Sequence, residues 1–276
     1  MEQSRDHIFS IKNNNAIEID LRLADSQVIN DGSGTKDTLI SIETIIASTS
    51  NDSLTGSNTK DVIYGRAGND YFVGNAGNDT LFGELGDDTF EATSLTDGSD
   101  FIDGGSSSES NGDTIDYSKI LRITDGTTGG ITVDLKDQDG TSTATVVVNS
   151  GNNDTIDNIE NVFGTQNNDT ITASRATNTL VGGKGDDLFI QTTTKNEKGE
   201  DGTTDDKIDG GDDIDTVDYS ALSDEITITL NEGVFSDVIV SRKTDHKIKN
   251  IENITGSSAS DTIVGDGNKN ILIGNA

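Results

Sequence analysis

GSNTKDVIY (56–64), GRAGNDYFV (65–73), GNAGNDTLF (74–82) and GELGDDTFE (83–91) are four consecutive units of nine residues. Gly56, Gly65, Gly74 and Gly83 open them, Asp61, Asp70, Asp79 and Asp88 hold the sixth place, and Ile63, Phe72, Leu81 and Phe90 hold the eighth. Glycine at places one and four lets the backbone reach positive φ, which a tight loop needs and a Cβ opposes. The last three residues suit a short strand. Side chains alternate along a strand, so only the eighth residue points inward. Two nonapeptides then complete one coil, loop–strand–loop–strand, and each loop stacks on the loop 18 residues later along the same edge.

This pattern, G-G-x-G-x-D-x-U-x, resembles the nonapeptide of the RTX, or haemolysin-type calcium-binding, family. The resemblance implies an all-β fold, a right-handed parallel β-roll of stacked coils, with calcium held between loops. In the family one loop gives the carbonyls of places two and four, its partner those of one and three, and both give the aspartate. Calcium accepts six to eight oxygens in flexible geometry, so each loop supplies half a site. The strongest pair expected is Gly65, Arg66, Ala67, Gly68 and Asp70 with Gly83, Glu84, Leu85, Gly86 and Asp88. A second places Asp61 over Gly74, Gly77 and Asp79, with Thr59 where glycine is preferred. A third places Asp52 over residues 65–70, with Ala47 at place one. Further along, Asp169 of GTQNND (164–169) pairs with Gly182, Gly185 and Asp187 of GGKGDD (182–187). Asp215 lies in a clean nonapeptide at 210–218, and Asp261 in GSSASD (256–261). Two loops carry asparagine at place six, Asn178 and Asn270, and are expected to be coils without metal.

Composition fits a chain that needs ions. Only 30% of the 276 residues are apolar, 4% are aromatic and tryptophan is absent. That is thin for an ordinary core. The net charge is −31, from 50 acidic and 19 basic residues. Without counter-ions such a chain repels itself and leans toward disorder. The charge argues against nucleic acid and anionic membranes as partners. Cysteine is absent, so disulfides and zinc–thiolate sites are excluded. Apolar runs are too short for a transmembrane helix or an N-terminal signal peptide. Gly274-Asn275-Ala276 repeats the opening Gly74-Asn75-Ala76, so the sequence is read as a fragment of a longer protein.

The layout recurs three times, in blocks at 1–94, 95–200 and 201–276. Each has an opening β segment: AIEIDL (16–21), ITVDL (131–135) or ITITL (226–230). A variable stretch follows, then a nonapeptide-like unit: GSGTKDTLI (32–40), NSGNNDTID (149–157) or the degraded SRKTDHKIK (241–249). A six-residue insert comes next: SIETII (41–46), NIENVF (158–163) or NIENIT (250–255). The shared spacing marks the insert as architecture. KNEKGE (195–200) reads as a charged surface loop, and SALSDE (220–225) as a short helical turn.

Catalysis finds no support. The only histidines, His7 and His246, stand alone, and His246 occupies the place of a loop aspartate. No HExxH, GxSxG or GxxxxGK[ST] is present. The expectation is a non-enzymatic calcium-binding region that folds and stiffens after type I secretion to the cell exterior. It would belong to a larger toxin, hydrolase or surface adhesin, with neighbouring domains of that chain as its partners. The alternative is a threonine-faced solenoid binding ice or carbohydrate, since threonine follows many loop aspartates. Valine, tyrosine and leucine at 62, 71 and 188 break that ladder.

Overall fold

The computed structural model describes residues 8–10, 14–24, 27–31, 36–107, 110–121, 129–135, 144–148, 153–192 and 205–275. The charged stretch 195–200, His7, and the openings of the units that start at 32, 149 and 201 lie outside these residues. Among the described residues the fold is all-β, without a helix. They form two compact units, Met1–Asp116 with Ser150–Ile159, and Tyr117–Asn149 with Glu160–Ala276. Compactness divides the chain by stacking, whereas the blocks divide it by sequence repeat.

In the first unit the strands Ile8–Ser10, Thr44–Ile46, Val62–Ala67, Thr80–Leu85, Phe101–Ser107 and Asp154–Asp157 follow one another in a single parallel sheet. A second sheet runs Thr114–Asp116, Thr89–Glu91, Tyr71–Val73, Ser53–Thr55, Glu18–Asp20 and Val28–Asn30, parallel except for its last pair. Successive nonapeptides therefore alternate between the sheets, and from Thr44 to Glu91 each strand pairs with the one 18 residues on. Ile63 lies beside Leu81, and Leu54 beside Phe72. This is the parallel β-roll that the resemblance to the RTX nonapeptide implies.

The second unit repeats the plan. Ala144–Val148, Ile131–Asp134, Thr170–Thr172, Leu188–Ile190, Thr216–Asp218, Asn253–Thr255 and Ile271–Ile273 form one sheet. Thr262–Val264, Ile226–Thr229, Ser236–Val240, Lys243–Lys249, Lys207–Asp212, Thr179–Lys184 and Asn161–Phe163 form the other.

Burial follows the period. Of the eighth residues, Ile63, Phe72, Leu81, Phe90, Ile102, Ile115, Ile156, Ile171, Leu180, Phe189, Ile208 and Val217 are buried, Leu39 and Ile263 are half-buried, and Leu272 is exposed. Phe72 and Phe90 stack with ring centroids 4.7 Å apart. The core is one residue wide per strand, which is why so few apolar residues suffice.

The insert has a conformational signature. Its first residue takes positive φ in every copy, 53° at Ser41, 51° at Asn158 and 52° at Asn250. A left-handed residue is rare outside glycine and asparagine, so three recurrences mark a built turn. Each opening β segment also has one fate. Glu18–Asp20, Ile131–Asp134 and Ile226–Thr229 lie parallel to the nonapeptide strands Ser53–Thr55, Thr170–Thr172 and Thr262–Val264. Each also pairs antiparallel with a strand from the variable stretch that follows it.

Two expectations are corrected. Residues 241–249 are not a decayed loop. Ser241 and Arg242, at φ 46° and 72°, make a two-residue hairpin turn, and Lys243–Lys249 runs back along Ser236–Val240. Two successive positive φ values match the right-handed twist of a hairpin. SALSDE is a turn closed by the Leu222 N–H donating to the Tyr219 carbonyl at 2.9 Å, not a helix.

Phe72→Ala is expected to lower the calcium-loaded stability by about 3–5 kcal/mol, because the ring is fully buried and its stacking partner keeps the cavity open. Thr80→Ala, on an outward place, should stay within about 0.5 kcal/mol. Urea melts of both variants in calcium check the contrast.

Candidate metal centre

The loop aspartates form hydrogen-bonded ladders along the edges of the roll. On one edge of the first unit the Ile17 N–H donates to Asp52, Asp52 to Asp70, Asp70 to Asp88 and Asp88 to Asp113, at 2.6–2.8 Å. On the other edge Asp61 donates to Asp79, Asp79 to Asp100 and Asp100 to Asp154. In the second unit Ile131 donates to Asp169, Asp169 to Asp187, Asp187 to Asp215 and Asp215 to the Glu252 carboxylate. In every Asp-to-Asp step the backbone N–H of one place six meets the Oδ1 of the next. The nonapeptide fixes place six in space, so a backbone donor always finds an acceptor below it.

The second carboxylate oxygen behaves differently. Asp70, Asp79, Asp187 and Asp215 expose 2% or less, and the Oδ2 of each is buried without a hydrogen-bond partner. An isolated buried oxygen of an ionised carboxylate is costly. Each faces a gap that glycine leaves. A Cβ at Gly65 would collide with Asp70 Oδ2 and lie 3.0 Å from the Gly83 carbonyl oxygen. A Cβ at Gly182 would collide with Asp187 Oδ2 and lie 2.5 Å from the Gly210 carbonyl oxygen. The lining is therefore carboxylate and carbonyl oxygen, the donor set of a hard divalent cation. Among the described residues no three acidic, histidine or cysteine side chains converge on one point. A cation here must draw on backbone carbonyls, and the stacked loops present them. The residues fit calcium: Asp70 and Asp88 with the carbonyls of loops 65–68 and 83–86, Asp79 with loop 74–77, and Asp187 and Asp215 with loops 182–185 and 210–213.

The electrostatics agree. Burial pushes the Asp70 carboxyl up to about 8, against the Asp52 N–H that holds it down, and the Asp88 charge adds to the rise. Burial likewise lifts Asp187 to about 8, Asp215 to about 7 and Asp79 to about 6. Without a cation these groups hold their protons to higher pH than an ordinary aspartate does.

The remaining expected residues stand elsewhere. Asp52 and Asp169 lie on the ladders, but both oxygens of each already accept hydrogen bonds within the chain. Asp261 accepts from Ile226 and Ser257 in the same way. Asp61 keeps one bare oxygen, Oδ1, while Ser57 covers the other. Asn178 is buried as a neutral substitute. Its Nδ2 donates to the Glu160 carbonyl at 2.8 Å, so an amide group fills space beside an oxygen that a cation would use. His246 is beside Asp206 in register, on a strand, and bonds Tyr219 Oη at 2.7 Å and Asp245 at 2.9 Å. Asp100, Asp113, Asp154, Asp206 and Glu252 are ladder members that the nine-residue pattern did not single out. They sit in or after lengthened loops, so their offsets are 21, 25, 54, 28 and 37 rather than 18. A search for Asp-Thr-Ile or Asp-Phe-Ile ahead of a buried residue finds several of them.

Stacked loops of alternating strand and carboxylate ladder, with bare oxygens facing carbonyls, define a parallel β-roll with candidate cation sites between its loops. The comparison with known families agrees. Residues 37–72, 64–93, 149–189 and 250–276 match the RTX calcium-binding nonapeptide repeat, and the chain carries this repeat in four copies. No curated protein matches the chain. Among solved structures, the extracellular lipase LipA from Serratia marcescens aligns with 83% of this chain at 15% identity and a TM-score of 0.20. This chain spans 39% of that lipase's length.

The raised carboxyls set a pH dependence. Their folded values exceed the ordinary 3.8, so in chelator the stability that protonation supplies is full below about pH 4. It is lost as pH rises through about 8. Calcium requires the ionised form, so its affinity should climb over the same window. Thermal melts from pH 4 to 9 should fall with pH in chelator, and the calcium-induced rise in melting temperature should grow.

Proposed function

We propose that this chain is a calcium-driven folding region of a longer secreted protein, a toxin, hydrolase or surface adhesin, and that it performs no catalysis. The bare, buried Oδ2 of Asp70, Asp79, Asp187 and Asp215 carries the reading. In the cytosol calcium is scarce and a −31 chain stays extended and exportable. Outside, calcium near 1 mM fills sites in the 10⁻⁴–10⁻³ M class. An ion at tenfold its dissociation constant adds about 1.4 kcal/mol per site. Three such sites, at Asp70 with Asp88, at Asp79 and at Asp187 with Asp215, supply about 4 kcal/mol, a large share of the stability of an ordinary domain. Binding energy of this size decides whether the roll forms.

A threonine-faced surface for ice or carbohydrate gains nothing from the geometry. The outward columns read Thr44, Val62, Thr80, Phe101, Thr155 on one sheet and Ser53, Tyr71, Thr89, Thr114 on the other. Neither is a continuous threonine face.

At pH 8 far-UV circular dichroism should show a disordered chain in chelator, a β spectrum in calcium, and little change in magnesium, whose strict octahedron suits wide carbonyl-lined gaps poorly. A full β spectrum in chelator at pH 8 would remove the proposal. Asp187→Asn keeps the ladder acceptor but removes the anion. It should weaken one site by well over tenfold in calorimetric titration, since charge-assisted contacts contribute about 1.5–3 kcal/mol. Asn178→Ala should leave the number of ions bound unchanged.

A further inference from the structure

Eleven of the loops fall into two geometries. In five of them a serine or threonine holds place two, and its N–H and hydroxyl both turn onto place six of the same loop. The Ser48 N–H donates to Asp52 Oδ2 at 2.8 Å, Ser57 to Asp61 Oδ2 at 2.6 Å, Thr165 to Asp169 Oδ2 at 2.6 Å and Ser257 to Asp261 Oδ2 at 2.7 Å. Ser174 treats Asn178 alike at 2.9 Å. The same hydroxyls accept the N–H of place four, from Ser50, Thr59, Asn167, Ala176 and Ala259. A sixth loop, 265–270, does this with the Asp266 N–H and carboxylate. None of these place-four residues is glycine, and none takes positive φ.

Loops 65–70, 74–79, 83–88, 182–187 and 210–215 are built the other way. Place two takes positive φ at Arg66, Asn75, Glu84, Gly183 and Gly211, between 66° and 111°. Place four does the same at Gly68, Gly77, Gly86, Gly185 and Asp213. Reversing place two turns its N–H away from the carboxylate, and Oδ2 is left bare at Asp70, Asp79, Asp187 and Asp215. In all but the 74–79 loop the preceding strand also continues through place three, as in Val62–Ala67, Thr80–Leu85, Thr179–Lys184 and Lys207–Asp212. After the closed loops' preceding places the strands stop at place nine, as in Thr44–Ile46 and Ser53–Thr55.

The closed loops occupy fixed positions. They are the first two after each insert: 47–52 and 56–61, 164–169 and 173–178, 256–261 and 265–270. We infer that places two and four decide whether a loop takes calcium, and that the two hydroxyl- or carboxylate-closed loops after each insert are ion-independent coils. The internal N–H and hydroxyl do there what the cation does in the open loops, so the oxygen that faces place two is satisfied without metal; at Asp61 both Ser57 donors fall on Oδ2 and only Oδ1 stays bare. This deepens the calcium reading proposed above and rests on it. It removes the Asp52, Asp61, Asp169 and Asp261 loops from the cation-accepting set and leaves the open loops in it.

The test exchanges the two geometries in the full chain. T165G/N167G gives loop 164–169 the two glycines of an open loop. G183T/G185N gives loop 182–187 the closing threonine and removes the place-four glycine. Bound calcium is counted by equilibrium dialysis and atomic emission at saturating calcium, with circular dichroism to establish folding. T165G/N167G should bind one ion more than the parent and G183T/G185N one fewer, while Thr165→Ser keeps the parent count. The parent count in a folded T165G/N167G or G183T/G185N variant overturns the inference. Should one of the two not fold, the other decides alone. A parent chain that binds no calcium overturns the metal reading itself, a result distinguishable because no variant is needed to see it.

Discussion

The structure depends on the hydrogen bond from the backbone N–H of one loop aspartate to the carboxylate of the aspartate in the loop stacked below. It fixes the vertical register of the loops as the strand ladders fix that of the coils. It also stacks like charges at about the inter-strand spacing of 4.8 Å. At an effective dielectric of 20, two carboxylates so placed repel by about 3.5 kcal/mol. A ladder of Asp52, Asp70, Asp88 and Asp113 repeats that conflict at each step. The same bond that orders the loops makes the ionised roll unstable, so the chain must protonate, bind a cation or spread the charge over internal donors. Burial of Asp70 and the donors on Asp52 are two of these answers within one ladder.

Much of this was legible in the sequence because the repeat is a statement about backbone geometry. Nine residues with glycine at one and four and a bulky apolar residue at eight specify loop, strand and facing direction together. The roll follows from the resemblance to the RTX nonapeptide, and the 18-residue stacking of Asp70 on Asp88 and the six-residue insert from spacing. The strands Val28–Asn30, Ala144–Val148 and Ser236–Val240 were not read, since the variable stretches carry no phase. The misread unit at 241–249 shows how this fails. Its eighth residue, Ile248, is buried in register with Ile208, as a nonapeptide demands, yet Ser241-Arg242 turns a hairpin without the glycine or asparagine that signals one. Pattern at the strand survived while the loop was replaced.

The ladder members that spacing missed were lost for a related reason. Asp113 follows a lengthened loop, and Asp154 accepts from Asp100 across 54 residues of chain. Stacking is a contact in space, and insertion between stacked loops changes the sequence offset without changing the contact. Residue type at place six carries more information than distance along the chain.

His246 shows what happens where the ladder gives up its anion. It stands beside Asp206, fully enclosed, and its two ring nitrogens meet Tyr219 and Asp245. Asn178, the neighbour of Asp206 on the other side, satisfies its amide within the chain. The column Asn178, Asp206, His246 thus alternates a neutral group, a carboxylate and an imidazole, and avoids adjacent carboxylates altogether. In a stacked array each coil is stabilised by its neighbours. A coil that needs no ion therefore lends order to the ion-dependent coil above or below it. Closed loops after every insert, and the Asn178–Asp206–His246 column in the second unit, put such coils at intervals within each unit. On the reading proposed above, the chain combines segments whose order is intrinsic with segments whose order is set by the surrounding calcium, and places two and four of the nine-residue unit make the choice between them.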